Sequence, residues 1–183
     1  MINFCSQCGS GDVKYLIPAG DNRQRHVCMD CGHIHYINPR IIVGCLPVFE
    51  DRILLCRRNI EPRMGLWNLP SGFMECGETT EEGAIRETFE ESKAEVDIIK
   101  LHAVYNLPHA DQVYLHFLAE MKSDYFELTP ESSEIRLFAH DEIPFEEMAF
   151  SSSTFSISKY IENPDHNDPV VHIGTYQPNR DKK

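Results

Sequence analysis

Glu87, Glu90 and Glu91 stand three and four residues apart near the end of the 23-residue stretch 72–94, GFMECGETTEEGAIRETFEESKA. At about 100° per residue they fall on one side of a helix, with Ile85, Thr88, Phe89 and Ser92 on the other. The reading therefore predicts one face that packs and one that gathers carboxylates. Like charges at these spacings destabilise a helix by a few tenths of a kcal/mol per pair. A hard divalent cation reverses that sign, and magnesium in particular is held by one or two carboxylates together with substrate phosphate. Gly83 and Ala84, one turn earlier, are too small to cover the cluster. Arg86 stands one turn before Glu90, where it can hold a carboxylate in one rotamer, and Glu78 is a second candidate partner. The triplet alone also suits a solvated acidic face.

The elements that must position these groups are legible on both sides. Thr79 and Glu82 form the T-x-x-E capping box that starts the helix. Upstream, residues 40–46 and 52–57 read as two strands joined by a turn at Glu50 and Asp51. Leu66-Trp67-Asn68-Leu69-Pro70 then delivers Ser71 and Gly72 to the stretch. Downstream, residues 96–105, 112–121 and 134–138 read as strands, 153–161 as a final helix and 170–176 as a terminal strand, with residues 177–183 frayed. A mixed sheet between helices follows from this alternation.

At the N-terminus, Cys5-Ser6-Gln7-Cys8-Gly9 and Cys28-Met29-Asp30-Cys31-Gly32 are two C-x2-C units separated by 19 residues. Such pairs place thiolates on tight turns, and the glycine after each can take the positive φ that aims backbone amides at sulfur. The four sulfurs make a closed tetrahedral site, and the hairpin-like segments between them give a unit that resembles a zinc ribbon. So small a segment cannot bury a core, so the Zn2+ would supply its folding energy. Its expected role is structural, with nucleic-acid or substrate contact as the alternative. Cys45 and Cys56 read as buried small hydrophobes.

The formal net charge of −12 over 183 residues disfavours broad nucleic-acid binding, which rests on basic side chains. The sequence has no apolar run of membrane-spanning length and opens on MINFCSQCGS, without a signal-peptide pattern, so a soluble, cytoplasmic protein is expected. The expected division is a zinc ribbon over residues 1–36, a catalytic domain over 37–165 and a C-terminal strand and tail over 166–183.

Gly72, Glu78, Arg86-Glu87 and Glu90-Glu91 match at every offset the box of the Nudix hydrolases, G-x5-E-x7-R-E-U-x-E-E-x-G-U with U apolar. Thr88 and Ala94 are weak substitutes for large aliphatics, and Lys93 replaces the box glycine. A left-handed Lys93 would cost roughly 1–2 kcal/mol, so a different helix exit is expected. The resemblance implies an α/β/α sandwich with a mixed sheet and an enzyme that hydrolyses the pyrophosphate bond of a nucleoside diphosphate derivative into two monophosphates. It further implies that Glu87, Glu90 and Glu91 ligate Mg2+ or Mn2+, with a carbonyl from Gly72 or Ser71, and that Arg86 and Glu78 orient them. The general base is left between Glu131 and Glu134. Tyr105, Phe73 and Trp67 are candidates to stack on substrate or to fill core. Arg57, Arg58 and Arg63 are candidates to pair with phosphate or to face solvent. Members of the family often form homodimers.

The ribbon followed by the box resembles both NADH pyrophosphatases and FAD or ADP-ribose pyrophosphatases. The S-Q-P-W-P-F-P-x-S array of the NADH group is missing, since Trp67 is the only tryptophan. CRRNIEPRMGLWNLPSGFMECGE and RLFAHDEIPFEEMAFSS look like the second group, and FAD or ADP-ribose is the expected substrate, with Tyr105 and the loop 106–111 receiving its far half. Pro108 adds weak support for ADP-ribose. The alternatives are NADH hydrolysis and a non-enzymatic nucleotide sensor whose ribbon binds nucleic acid.

Overall fold

The computed structural model describes residues 2–177; of the tail expected to fray, residues 178–183 lie outside the described residues. The chain divides between Asn38 and Pro39 into two compact units. The smaller is an antiparallel sheet of β1 (Val13–Leu16), β2 (Arg25–Cys28) and β3 (Ile34–His35) in the order β1-β2-β3.

The larger unit is built on β4 (Arg40–Phe49), β5 (Arg52–Arg58), β6 (Trp67–Asn68), β7 (Ser71–Phe73), α1 (Thr80–Ser92), β8 (Val96–Leu107), β9 (Gln112–Met121), β10 (Ser132–Phe138), α2 (Ser151–Glu162) and β11 (His172–Thr175). The sheet runs β10-β5-β4-β9-β8-β11, with β6 on β5 and β7 on β4. It is mixed, because β4–β9 and β8–β11 pair in parallel and the other pairs are antiparallel. The terminal strand is shorter than expected and α2 longer at both ends.

β4 is buried without interruption from residue 42 to 48, as a strand covered on both faces should be. One set of alternate residues, Val43, Cys45, Leu54, Cys56 and Phe117, packs with Ala84 of α1. The other set, Leu46, Ile53, Leu55 and Leu118, packs with Ile157 and Tyr160 of α2. The β4–β5 turn takes positive φ at both Glu50 and Asp51 (46° and 60°), the two-residue geometry that follows sheet twist, here without glycine.

The α1 capping box forms as the sequence predicts: Glu82 N–H donates to Thr79 Oγ1 at 3.2 Å and Thr79 N–H to Glu82 Oε2 at 2.8 Å. Its packing face differs from the expected one. Gly83, Ala84, Thr88, Glu91 and Ser92 are buried, whereas Ile85 and Phe89 are 38% and 43% exposed. Small side chains let the helix backbone approach β4 so closely that a Cβ on Gly83 would lie 2.8 Å from Val43 Cγ2. The hydroxyls of Thr88 and Ser92 are satisfied within the helix, on the carbonyls of Ala84 and Thr88. Large residues on this face would hold the helix away from the sheet.

The helix exit does not depart from the left-handed form. Lys93 adopts φ 59° and ψ 6°, and its N–H caps the Phe89 carbonyl at 2.8 Å. Its ammonium lies 4.8 Å from the Phe89 ring centroid, a contact worth about 0.5–1 kcal/mol at an exposed site. The left-handed backbone costs roughly 1–2 kcal/mol. Lys93→Gly should therefore stabilise the protein by about 0.5–1 kcal/mol, read as a higher denaturant midpoint at unchanged m; a lower midpoint would show that the cation–π contact outweighs the backbone cost.

Candidate active site

The loop 74–79 and the second half of α1 bring Glu78, Arg86, Glu87 and Glu90 together. Arg86 grips Glu78 with two parallel bonds, Nε to Oε2 at 2.9 Å and Nη2 to Oε1 at 2.8 Å. Its Nη1 donates to Glu87 Oε1 at 2.7 Å and to Glu90 Oε2 at 3.1 Å, and Nη2 reaches the Phe73 carbonyl at 3.2 Å. The guanidinium, helped by the Glu75 N–H, holds the Glu78 carboxyl down at about 2. Glu78 thus serves Arg86, and Arg86 fixes the rotamers of Glu87 and Glu90, two of the triplet.

Glu91 is treated differently. It is 7% exposed and, among the described residues, its carboxylate receives one hydrogen bond, from Ser71 N–H at 3.2 Å. Burial raises its proton affinity to about 8; the Ser71 N–H and the charge of Arg58 oppose this, and the charges of Glu87 and Glu131 reinforce it. Burial also raises Glu87, against the pull of Arg86 and with the push of Glu90 and Glu131. Gly72 faces this pair, and a Cβ there would lie 2.3 Å from Glu87 Oε2. Lack of a side chain at Gly72 is what leaves room for the carboxylate beside β7. Hard oxygen donors, partly buried and short of positive charge, fit a divalent cation.

The remaining candidates separate into those beside this cluster and those elsewhere. Glu131 is close enough for its charge to act on Glu87 and Glu91, whereas Glu134 lies in β10 and pairs with Arg57 at 3.2 Å. Arg57 is further occupied by the Gly65 carbonyl and by Glu147. Arg58 acts on Glu91, donates to the Pro62 carbonyl at 2.9 Å and stacks over Phe150. Arg63 sits at positive φ in the loop before β6. Phe73 is half exposed beneath Arg40.

Two aromatic candidates belong to the core. Trp67 is 5% exposed and packs edge-on against Phe138. Tyr105 is 7% exposed, lies opposite Tyr114 and packs against Phe155 of α2. Tyr114 is in register with Ile42, on the face of β4 opposite Val43 and α1. Tyr105, with the loop 106–111 the expected place for the far half of the substrate, is thus a buried residue that alternation along β8 turns to the face of the sheet opposite α1.

In the N-terminal unit the Sγ atoms of Cys5, Cys8, Cys28 and Cys31 all lie within 4.8 Å of one another. Gly9 and Gly32 take φ of 76° and 74°, as each knuckle requires. A backbone hydrogen bond from Cys31 lowers the Cys28 thiol to about 7. Four convergent sulfurs fit zinc. It is the one convergent metal-ligating group of this kind among the described residues, and no helix among them is long and apolar enough to cross a membrane.

A helix carrying carboxylates in this geometry, packed on a mixed sheet and preceded in the sequence by a four-cysteine unit, is an arrangement suited to holding a divalent cation. Residues 3–37 match the zinc-ribbon model described as Nudix N-terminal and residues 38–156 the NUDIX domain model, and the chain belongs to the Nudix hydrolase family. A crystal structure of a NUDIX hydrolase from Nitrosomonas europaea superposes with a TM-score of 0.91 at 46% identity, covering 97% of this chain and all of that one (100%). The NAD-capped RNA hydrolase NudC of Edwardsiella ictaluri is 32% identical over 144 residues, 77% of this chain and 53% of the relative. The ADP-ribose pyrophosphatase of Methanocaldococcus jannaschii is 38% identical over 76 residues, 42% of this chain and 45% of the relative. The chain thus spans about half the length of these two curated relatives.

Protonation of Glu91 links the site to stability. Its proton affinity is raised from 4.5 to about 8, so over that interval the folded state binds more protons than the unfolded one. This contribution to stability is complete below pH 4.5 and is lost as pH rises through 8. Buried His116, whose proton affinity burial lowers from 6.5 to about 3, acts in the opposite sense only below pH 6.5. Without divalent metal, wild type should therefore lose stability relative to Glu91→Gln between about pH 6.5 and 8, at up to about 1.4 kcal/mol per pH unit. Parallel pH profiles of the two proteins in denaturant titrations would contradict the placement of Glu91.

Proposed function

We propose that this protein hydrolyses the pyrophosphate of FAD or ADP-ribose, using Mg2+ or Mn2+ held by Glu87, Glu90 and Glu91 together with a backbone carbonyl of Gly72 or Ser71. The observation that carries the metal assignment is Glu91, a buried carboxylate beside Glu87 whose one protein partner is a backbone amide. When bound, the cation neutralises phosphate oxygens and lowers the pKa of the attacking water. Glu131 accepts the proton from that water; the pairing of Glu134 with Arg57 favours Glu131 of the two candidates. Arg86, anchored by Glu78, keeps Glu87 and Glu90 oriented, Arg58 pairs with substrate phosphate, and Phe73 offers a half-exposed ring to the nucleoside. The products are two monophosphates, one from each side of the broken P–O–P bridge.

The sulfurs of Cys5, Cys8, Cys28 and Cys31 hold structural Zn2+ in this reading. The name of the Methanocaldococcus relative supports ADP-ribose. The missing NADH array supports the same choice, as does the burial of Trp67, the only tryptophan. A second reading, cleavage of an NAD-type pyrophosphate free or at an RNA end, is favoured by the name of the Edwardsiella relative.

Steady-state kinetics with magnesium on FAD, ADP-ribose, NADH and NAD-capped RNA decide between them. FAD or ADP-ribose should give the highest kcat/KM; NADH or capped RNA ahead by tenfold, about 1.4 kcal/mol in transition-state binding, would favour the second reading. Glu131→Gln should lower kcat by about 100-fold or more, the range of general-base catalysis, and Glu134→Gln by less than about threefold. The reverse order would assign the base to Glu134.

A further inference from the structure

The last turn of a helix leaves carbonyls without partners inside the helix, and in α1 these are met from outside in an unequal way. The Phe89 carbonyl takes the Lys93 N–H at 2.8 Å and the Ser92 carbonyl takes the Glu127 N–H at 2.8 Å. The Glu91 carbonyl takes two side-chain hydroxyls, Thr129 Oγ1 at 3.1 Å and Ser132 Oγ at 2.9 Å. Both hydroxyls are buried, at 9% and 3% exposure. They flank Glu131 in the sequence Thr129-Pro130-Glu131-Ser132.

The backbone between them is tied down as well. Asn59 N–H donates to the Glu131 carbonyl at 2.8 Å, the Asn59 side chain donates to the Pro130 carbonyl at 3.0 Å, and Ser132 N–H closes a turn on the Thr129 carbonyl at 3.2 Å. The register of β10 against β5 shifts between Ser132 and Glu134, so the segment is shaped to this contact before it joins the regular ladder. A helix cap needs one donor on that carbonyl. Two hydroxyls on the main chain of the most buried helix glutamate, one on each side of another glutamate and joined there by the Cys56 thiol at 4.0 Å, do more than end a helix.

We propose that Thr129 and Ser132 are positioning residues, a two-hydroxyl clamp that fixes the loop carrying Glu131 to the residue carrying Glu91 and so sets the separation of the two carboxylates. The clamp touches neither substrate nor metal; it acts through Glu131, and it rests on the assignment of Glu131 as general base. Loosening it lets the base drift relative to the water it deprotonates, while substrate binding by other groups is unchanged.

The test is a cycle of variants: Thr129→Val with Ser132→Ala, made in the native chain and in the Glu131→Gln chain, with Thr129→Ser as the conservative control. Measured are kcat, KM, Mn2+ affinity by electron paramagnetic resonance, and Tm. In the native chain the loss of both hydroxyls should lower kcat about tenfold or more, with KM and Mn2+ affinity within about threefold, and Thr129→Ser should stay near wild type. In the Glu131→Gln chain the same loss should change the residual rate by less than about twofold, since residues that act through one group are not additive. Should the double variant not fold, the single Thr129→Val is read in both backgrounds. Equal losses in the two backgrounds, or native-like kcat without the hydroxyls, overturn the clamp while a low kcat in Glu131→Gln still supports the base. A native-like kcat in Glu131→Gln overturns the base assignment and the clamp with it.

Discussion

Arg86 is one guanidinium shared among three carboxylates, at 2.8 Å from Glu78, 2.7 Å from Glu87 and 3.1 Å from Glu90. That sharing leaves Glu91, the most buried of the helix glutamates, without an ion-paired basic side chain among the described residues. A carboxylate removed from water without a partner either keeps its proton or acquires a cation. The site is therefore built around a deficit of positive charge, and each neighbouring element either limits that deficit or maintains it. Glu78 is committed to Arg86, so it does not add to the repulsion at Glu91. Ser71 lends a backbone amide, and Arg58 contributes at longer range.

The deficit exists because α1 lies so close to β4. Gly83, Ala84, Thr88 and Ser92 bury a face with little side-chain volume, and Gly72 lacks the Cβ that would collide with Glu87. Larger residues at these positions would lift the helix, wet Glu91 and relieve the charge imbalance on which the proposed cation site rests. The carbonyl at Glu91 is then secured from the other side by the segment before β10. Packing, hydrogen bonding and charge thus converge on one residue.

Much of this was legible in the sequence, and what was not has physical reasons. The capping box, the Glu50-Asp51 turn and the cysteine knuckles are local patterns whose geometry follows from residue type, and they stand as read. The buried face of α1 was legible only in part: Thr88 and Ser92 are buried as read, but Ile85 and Phe89 are not, because size is a guide to burial only where the partner surface is distant. Here close approach favours the smallest residues, so Ile85 and Phe89 are left outside. Lys93 keeps the left-handed exit because the cap on Phe89 and the stacking of its ammonium offset part of the backbone cost. Tyr105 was placed beside the substrate by its position in the chain, whereas strand alternation turns it toward α2. Glu131 and Glu134 could not be separated by spacing, since the register shift before Glu134 decides which of them pairs with Arg57. Thr129 and Ser132 carry no sequence signal beyond two small hydroxyls around a glutamate.

Calorimetric titration of the protein, with zinc in the ribbon and no other metal, shows whether a cation displaces the proton held by buried Glu91. Mn2+ is added at pH 7 in buffers of different ionisation enthalpy, so that the protons released per metal bound can be counted. A Glu91 carboxyl with its proton affinity raised to about 8 should release about one proton per bound metal, and Glu91→Gln should abolish most of that release and weaken binding. Metal binding without proton release, or with release unchanged in Glu91→Gln, would show that the buried carboxylate is not what the cation neutralises.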